Sequence, residues 1–262
     1  MAYVARRHAA TGTSMIGRDP RQGRPHLRIS LLDGFSLEED GVSVVLPDGS
    51  QRLLAFLALQ GRSIRRSVAA GTLWPAVAED HASSSLRSAL ARLSLGARAG
   101  VLATTTEIGL ADDVAVDLWD SRELARLLTA AERSSPESEP GVDAIVNLST
   151  EILPGWYDDW VLVEAEDWRQ VRLHALEALS DRLSQRRQYV DAAMAALAAV
   201  RAEPLRESPR AALIRVHIAE GNPSEALREF TRYGELLGLE LGIEPTERLR
   251  GLVDQLLSVA PS

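Results

Sequence analysis

The sequence predicts a mainly α protein: an N-terminal winged helix (α+β), followed by an all-α domain of tetratricopeptide-like helical repeats. Three observations carry this. Short segments of period-2 apolar alternation occur before residue 47 and again after Gly100, with helical periodicity between them; from Val142 onward such alternation does not return; and the helical second half repeats itself at an offset of 34 residues. Of the 262 residues, 45% are apolar, 25% charged and 5% aromatic, the composition of an ordinary globular chain long enough for one large or two small domains.

Residues 1–26 contain Gly12, Gly17, Pro20, Gly23 and Pro25 among five arginines, show no sustained period, and read as a disordered basic tail. Leu27, Ile29 and Leu31 then alternate with Arg28, Ser30 and Leu32. Asp33-Gly34 makes a turn, Phe35 to Leu37 a second strand, Asp40-Gly41 another turn, and Val42 to Leu46 a third strand, which predicts a small antiparallel sheet of about three strands. Leu53, Leu54, Phe56, Leu57 and Leu59 form a helical stripe closed by Gly61. Ser63 is placed to cap the next helix, Ile64 to about Leu73, and Trp74-Pro75 stops it. A third helix runs from about His81 to Leu95, with Leu86, Ala89, Leu90 and Leu93 inward and Ser84, Arg87, Ser88 and Ala91 outward; Arg92 lies at the edge of that outer face. Gly96 and Gly100 end it. Val101 to Thr105 and Ile108 to Val116 read as a hairpin, and sheet, three helices, hairpin is the order of a winged helix occupying residues 27–118.

Residues 119–262 are predicted to be helical. An apolar-periodic segment, Leu118 to Ala131, precedes the polar, Pro-rich run Ser134 to Gly141, a surface loop. Ala178-Leu179 recurs as Ala212-Leu213, Ala192 as Ala226, and the polar turn before Tyr189 as Gly221-Asn222-Pro223. Small residues at a 34-residue period are what closely crossing helices of a tetratricopeptide-like solenoid require. Ser208-Pro209, Asn222-Pro223 and Glu244-Pro245 each place a capping residue before a proline at the first helical position.

The composition excludes several chemistries. There is no Cys and no Lys, so disulfides, thiolate zinc sites, cysteine nucleophiles, P-loop lysines and Schiff bases are impossible. His8, His26, His81, His174 and His217 show no metal-ligand spacing, so no metal site or cofactor is implied. Asp158, Asp159, Glu164, Glu166 and Asp167 invite comparison with a paired-carboxylate acid/base site. They alternate with Trp156, Trp160, Leu162 and Trp168, however, and read as the wet side of helices whose aromatic side is core. Ser83, Ser84 and Ser85 lack an elbow motif and a catalytic partner beyond His81 on the same helix; they are capping groups or donors to phosphate and base edges. No apolar run reaches the roughly 20 residues of a membrane helix, and the first 26 residues carry no secretory apolar stretch. The expectation is a cytoplasmic protein that is not an enzyme.

Charge is distributed unevenly. The chain carries a net −8, yet residues 51–98 hold seven arginines, Arg52, Arg62, Arg65, Arg66, Arg87, Arg92 and Arg98, against Glu79 and Asp80 alone. Such an island is either a set of solvated helix faces or a polyanion-binding surface.

Leu53 to Gly61, Ser63 to Pro75 with its Gly-Thr-Leu-Trp-Pro ending, and Leu86-Arg-Ser-Ala-Leu-Ala-Arg-Leu93 resemble the winged helix of the Streptomyces antibiotic regulatory protein family. Leu153-Pro-Gly-Trp-Tyr-Asp-Asp-Trp-Val161, Ala202-Glu-Pro-Leu-Arg-Glu207, Ala219-Glu-Gly-Asn222 and Leu241-Gly-Ile-Glu-Pro245 are similar to that family's bacterial transcriptional activation domain. The resemblance covers roughly residues 27–257. It implies a cytoplasmic activator that binds direct repeats in double-stranded DNA and helps recruit RNA polymerase, with a homo-oligomer on DNA left open. Two departures stand out: Arg92-Leu93-Ser94 has one cation fewer than the run in which response-regulator relatives commonly end this helix, and the wing sequence Thr104 to Leu110 offers hydroxyls and Glu107 but no cation.

On this reading Ser84, Arg87 and Ser88 approach base edges, Arg65, Arg66 and Arg92 hold phosphates, and Thr105 sits on the wing. The alternative is a repeat scaffold that binds protein, with a winged helix of weak or lost DNA affinity.

Overall fold

The computed structural model describes residues 26–130 and 142–257. The predicted basic tail, His26 apart, and the loop from Ser134 to Gly141 lie outside the described residues. Strand β1 (Leu27–Ser30) pairs antiparallel with β2 (Ser36–Glu39), and β2 pairs with β3 (Val42–Ser43). Asp40 and Gly41 have φ of 52° and 79°, so this two-residue turn has the left-handed backbone that suits the twist of the flanking strands. Among the described residues the sheet has four strands rather than about three. Chain beyond the hairpin returns as β7 (Ala115–Val116) and runs parallel to β1, with Arg28 opposite Ala115. The third strand stops at Ser43 instead of Leu46, because α1 (Asp48–Gln60) begins five residues before the apolar stripe.

Gly61 closes α1 at φ 59°, its N–H bonded to the Leu57 carbonyl. Every residue of this helix from Leu53 to Leu59 is buried, so it is a central helix covered all round rather than a one-sided stripe. The second helix, α2, is shorter than predicted (Arg66–Leu73). Ile64 and Arg65 are drawn into an extended strand, β4, by pairing with β6 (Glu107–Leu110), and Arg65 occupies the cap position predicted for Ser63. Ser63 packs instead against Gly109, where a Cβ would stand 2.7 Å from the Ser63 hydroxyl; the two strands can approach this closely only with glycine there.

Helix α3 (Glu79–Ala91) ends before the predicted Leu95. Leu93 is buried, and Ser94 caps a separate short helix, α4 (Leu95–Ala99), by accepting the Ala97 N–H. Glu39 of β2 accepts the same N–H at 3.0 Å and bonds the Ser94 hydroxyl, so a distant carboxylate fixes this break. Gly96 lies inside α4 and Gly100 ends it. The predicted hairpin arm Ile108 to Val116 is split: β5 (Val101–Ala103) pairs with β6, and Ala115–Val116 belongs to the first sheet. Sheet β4-β6-β5 with α2 and α3 is the winged-helix arrangement.

Seven helices follow among the described residues: α5 (Asp117–Thr129), α6 (Val142–Ser149), α7 (Asp159–Gln185), α8 (Tyr189–Ala202), α9 (Glu207–Glu220), α10 (Pro223–Glu240) and α11 (Glu247–Leu257). Successive helices from α7 to α11 pack on one another, and Ala192, Ala212 and Ala226 are fully buried where the repeat demands small side chains. Of the predicted proline starts, only Asn222-Pro223 is at the cap and first position, and there the Asn side chain makes no capping bond. Ser208 and Pro209 fall inside α9, whose cap is Arg206; the Ser208 hydroxyl donates to Glu177 at 2.8 Å. Thr246, not Glu244, directly precedes α11.

A continuous set of buried apolar residues runs from β1 into α8 and reaches Val216 of α9. At the junction Trp119 Nε1 donates to the Ala58 carbonyl at 2.7 Å, and Phe56 meets Trp160 edge to face at 5.3 Å. Trp168 is core as predicted, whereas Leu162 is exposed beside Val163 on a side of α7 that no described element covers. Asp158 and Glu164 are not merely wet: they pair with Arg52 and Arg122, each at 2.7 Å.

Candidate nucleic-acid interface

Helix α3 is amphipathic with the phase its sequence predicts. Ala82, Leu86, Ala89 and Leu90 are buried, and the Ser50 hydroxyl on α1 donates to the Ala89 carbonyl at 2.8 Å, seating the helix. Ser84, Arg87, Ser88 and Ala91 are exposed on the opposite face, with Arg92 exposed at its C-terminal end. The guanidinium groups of Arg65, Arg87 and Arg92 form no hydrogen bond or ion pair among the described residues.

The wing is the β5–β6 hairpin. Thr104 Oγ1 accepts the N–H groups of Glu107 at 2.9 Å and Thr106 at 3.3 Å, which closes the tip and leaves Thr105 exposed on it. Arg66 ties the start of α2 to this tip: its backbone N–H donates to the Thr106 carbonyl at 2.9 Å and its Nη1 to the Thr104 carbonyl at 3.4 Å.

Two open depressions flank α3. The one toward α1 is bordered by His81, Ser84, Ser88 and Arg92 with Gly49 and Trp74; the one toward the wing by Arg66, Arg87 and Arg98 with Ala91 and Ala103. The predicted residues are therefore divided between the two sides of α3. Ser84, Ser88 and Arg92 border the first depression, Arg66 and Arg87 the second, and Arg65 and Thr105 border neither. Two residues join them that sequence reasoning did not select. His81 shares the face because it precedes Ser84, Ser88 and Arg92 by three, seven and eleven residues, a spacing readable in the sequence. Arg98 is placed by the turn into α4 and donates through Nη1 to the Leu90 carbonyl at 2.9 Å near the end of α3.

The groups with resolved pKa shifts lie away from this face. Burial pushes the Asp117 carboxyl above the ordinary 3.8 despite the N–H groups of Leu31, Leu32 and Leu118 bonded to it. Burial likewise lowers the Arg172 guanidinium, which donates to the Ser149 carbonyl at 2.6 Å. Both serve packing. At the exposed face the available chemistry is hydrogen-bond donation and positive charge, which suits a polyanion with patterned edges.

Comparison with known proteins agrees with this architecture. The model of the bacterial transcriptional activator domain matches residues 113–257. The regulatory protein AfsR of Streptomyces coelicolor is 28% identical over 94% of this chain, which spans only 26% of that protein's length. A solved structure of Mycobacterium tuberculosis EmbR in complex with a low-affinity phosphopeptide superposes with a TM-score of 0.62 at 20% identity. The match covers 91% of this chain and 66% of the other, and is a likeness of fold. No helix among the described residues is long and apolar enough to cross a membrane. With the activator-domain match extending over more than half of its residues, the chain belongs to the bacterial transcriptional activator domain family.

Proposed function

We propose that this protein is a transcriptional regulator of the Streptomyces antibiotic regulatory protein type, and that it binds double-stranded DNA sequence-specifically through α3 and the wing. In this reading it activates transcription by helping recruit RNA polymerase through residues 119–262, within the cytoplasm. The observation that carries the reading is the outward face of α3. Arg87 and Arg92 are exposed with guanidinium groups that no described residue engages, while many arginines elsewhere, such as Arg52, Arg122, Arg169 and Arg210, are paired with carboxylates. Ser84, Arg87 and Ser88 face base edges in the major groove, and Arg65, Arg66 and Arg92 hold phosphates that set register. Thr105, at the wing tip, meets the adjacent groove. A footprint of the purified protein on its own upstream region tests this. Protected direct repeats are expected, and a featureless pattern at all concentrations would count against sequence-specific binding.

One observation favours a second reading, a protein-binding scaffold with little DNA affinity: the wing tip, Thr104 to Glu107, contributes a carboxylate and no cation. Salt separates the two, since a scaffold has no phosphate contacts to screen and its affinity for duplex would not fall steeply with ionic strength.

A further inference from the structure

The cation-free wing and the depression beside it belong together. When a recognition helix occupies the major groove and a wing faces the adjacent minor groove, one phosphodiester strand separates the two grooves. That strand must pass between helix and wing. In this protein the space between them is the depression bordered by Arg66 and Arg98, with Arg87 on its α3 side, and no carboxylate borders it. The two cations come from opposite ends of the motif. Arg66 opens α2 and is held to the wing through the Thr104 and Thr106 carbonyls. Arg98 lies on α4, and its one side-chain bond among the described residues, from Nη1 to the Leu90 carbonyl, leaves its other donors available.

We infer that this cleft is a phosphate seat for the strand between the grooves, in which Arg66 and Arg98 supply from beneath the positive charge that the wing tip lacks. The inference rests on the DNA-binding reading above and adds to it Arg98, together with a path for the backbone. Arg87 stands where the seat meets the base-reading face. The seat also accounts for the departure at the wing, where hydroxyls suffice if the charge lies at the wing's root.

The salt dependence of duplex binding tests the seat, measured on two probes, the protein's own upstream region and a random-sequence duplex. Each phosphate contact contributes about 1 to the slope of log K against log salt. Arg66→Gln and Arg98→Gln should each reduce the slope by about 1 on both probes, because a backbone contact is indifferent to sequence. Glutamine at 98 keeps an N–H donor for the Leu90 carbonyl. Arg98→Lys, which keeps the charge, should retain the parental slope, and Arg201→Gln on the exposed side of α8 should change nothing. Parental slopes in both folded Gln variants would overturn the seat while leaving DNA binding intact. So would equal loss of slope in Arg98→Lys and Arg98→Gln, which would make Arg98 a purely structural residue. Should Arg98→Gln not fold, Arg66→Gln decides on the same criterion. A wild-type protein whose duplex binding shows no salt dependence would overturn both the seat and the DNA-binding reading.

Discussion

Arg52 Nη2 on α1 lies 2.7 Å from Asp158 Oδ1, at the entrance to α7, and the same nitrogen donates to the Leu73 carbonyl at 3.0 Å. One guanidinium group thus joins α1, the end of α2 and the N-cap of the long helix α7. Both side chains are about a third exposed, so the ion pair itself is worth at most about 1 kcal/mol. Its meaning is geometric. It stands beside the Phe56–Trp160 contact and the Trp119 bond to Ala58, where α1 meets α5 and α7.

The chain divided after Leu118 should therefore yield an N-terminal fragment that still binds DNA, if weakly, and no longer activates transcription. That fragment should also melt well below the intact protein. The cut removes Trp119 and Trp160 from α1 and leaves an apolar face open to water, at about 25 cal/mol for each Å2 uncovered. Differential scanning calorimetry of the fragment beside the full chain measures this. Equal melting temperatures would show that the junction contributes nothing to α1, and full activating ability in the fragment would dissociate activation from residues 119–262.

Replacing Arg87 by Ala should relax discrimination among sites by about 1 to 3 kcal/mol if the side chain reads a guanine edge. Arg92→Ala, beyond the last turn of α3, should weaken all duplexes alike. Competition binding with single-base variants of a footprinted site distinguishes these patterns. If neither change alters affinity by more than a factor of about two in a folded protein, α3 does not enter the groove.

How legible these features were depended on how local their causes are. The phase of α3 could be read from Leu86, Ala89 and Leu90 because an amphipathic helix carries its burial pattern in neighbouring residues. The extent of α3 could not, because Glu39, 58 residues before Ala97, anchors the start of α4. Strand β4 has no local signal for the same reason: Ile64 and Arg65 continue a helical pattern in sequence and are extended through their pairing with Ile108 and Glu107. Leu53 to Leu59 contained a signal that a stripe does not use. Seven consecutive apolar residues exceed what one face needs, and the excess marks a helix packed by α3, β6, β1 and α7 together. At the interface, Ser84, Arg87, Ser88 and Arg92 followed from helical spacing. Arg98 did not, since its place depends on a short helix that periodicity merges with α3.

Asp117 offers a pH-dependent test of the same junction. Its carboxylate accepts N–H groups of Leu31, Leu32 and Leu118 at 2.9, 3.2 and 2.7 Å, binding the end of β1 to the start of α5. Because burial raises its pKa above the ordinary 3.8, the folded protein holds this proton more tightly than the unfolded chain. The stabilisation this provides is fully present below 3.8 and is lost as pH rises through the folded-state value. Asp117→Asn cannot titrate, and its amide nitrogen would oppose one of the three donors, at a cost of about 1 to 3 kcal/mol. Denaturant unfolding at several pH values should find the wild type more stable than the variant by a margin that narrows as pH rises through that window. A margin that widens instead would mean that the three N–H bonds outweigh burial.

The repeat packing makes the sharpest stability prediction. Ala192 and Ala226 hold equivalent places near the starts of α8 and α10, and both are fully buried. At Ala192 the approach is close enough for the Ser180 hydroxyl on α7 to donate to its carbonyl at 2.8 Å. Ala226 faces the cluster of Ile214 and Tyr233, whose hydroxyl donates to the Leu205 carbonyl at 3.0 Å. A leucine at either position adds three carbons where native packing density leaves no void, so neighbouring helices must separate or side chains must leave their rotamers. Ala192→Leu and Ala226→Leu should each cost about 1 to 3 kcal/mol. Arg228→Leu is the matched control: the Arg228 side chain is 69% exposed and, among the described residues, pairs with Glu225 one turn earlier, a contact worth a few tenths of a kcal/mol. Thermal melts of the full chain compare the three. Both alanine variants melting within about a degree of the parent, a shift far smaller than 1 kcal/mol would produce, would show that these helices do not approach closely. The 34-residue correspondence would then have no structural basis in helix crossing.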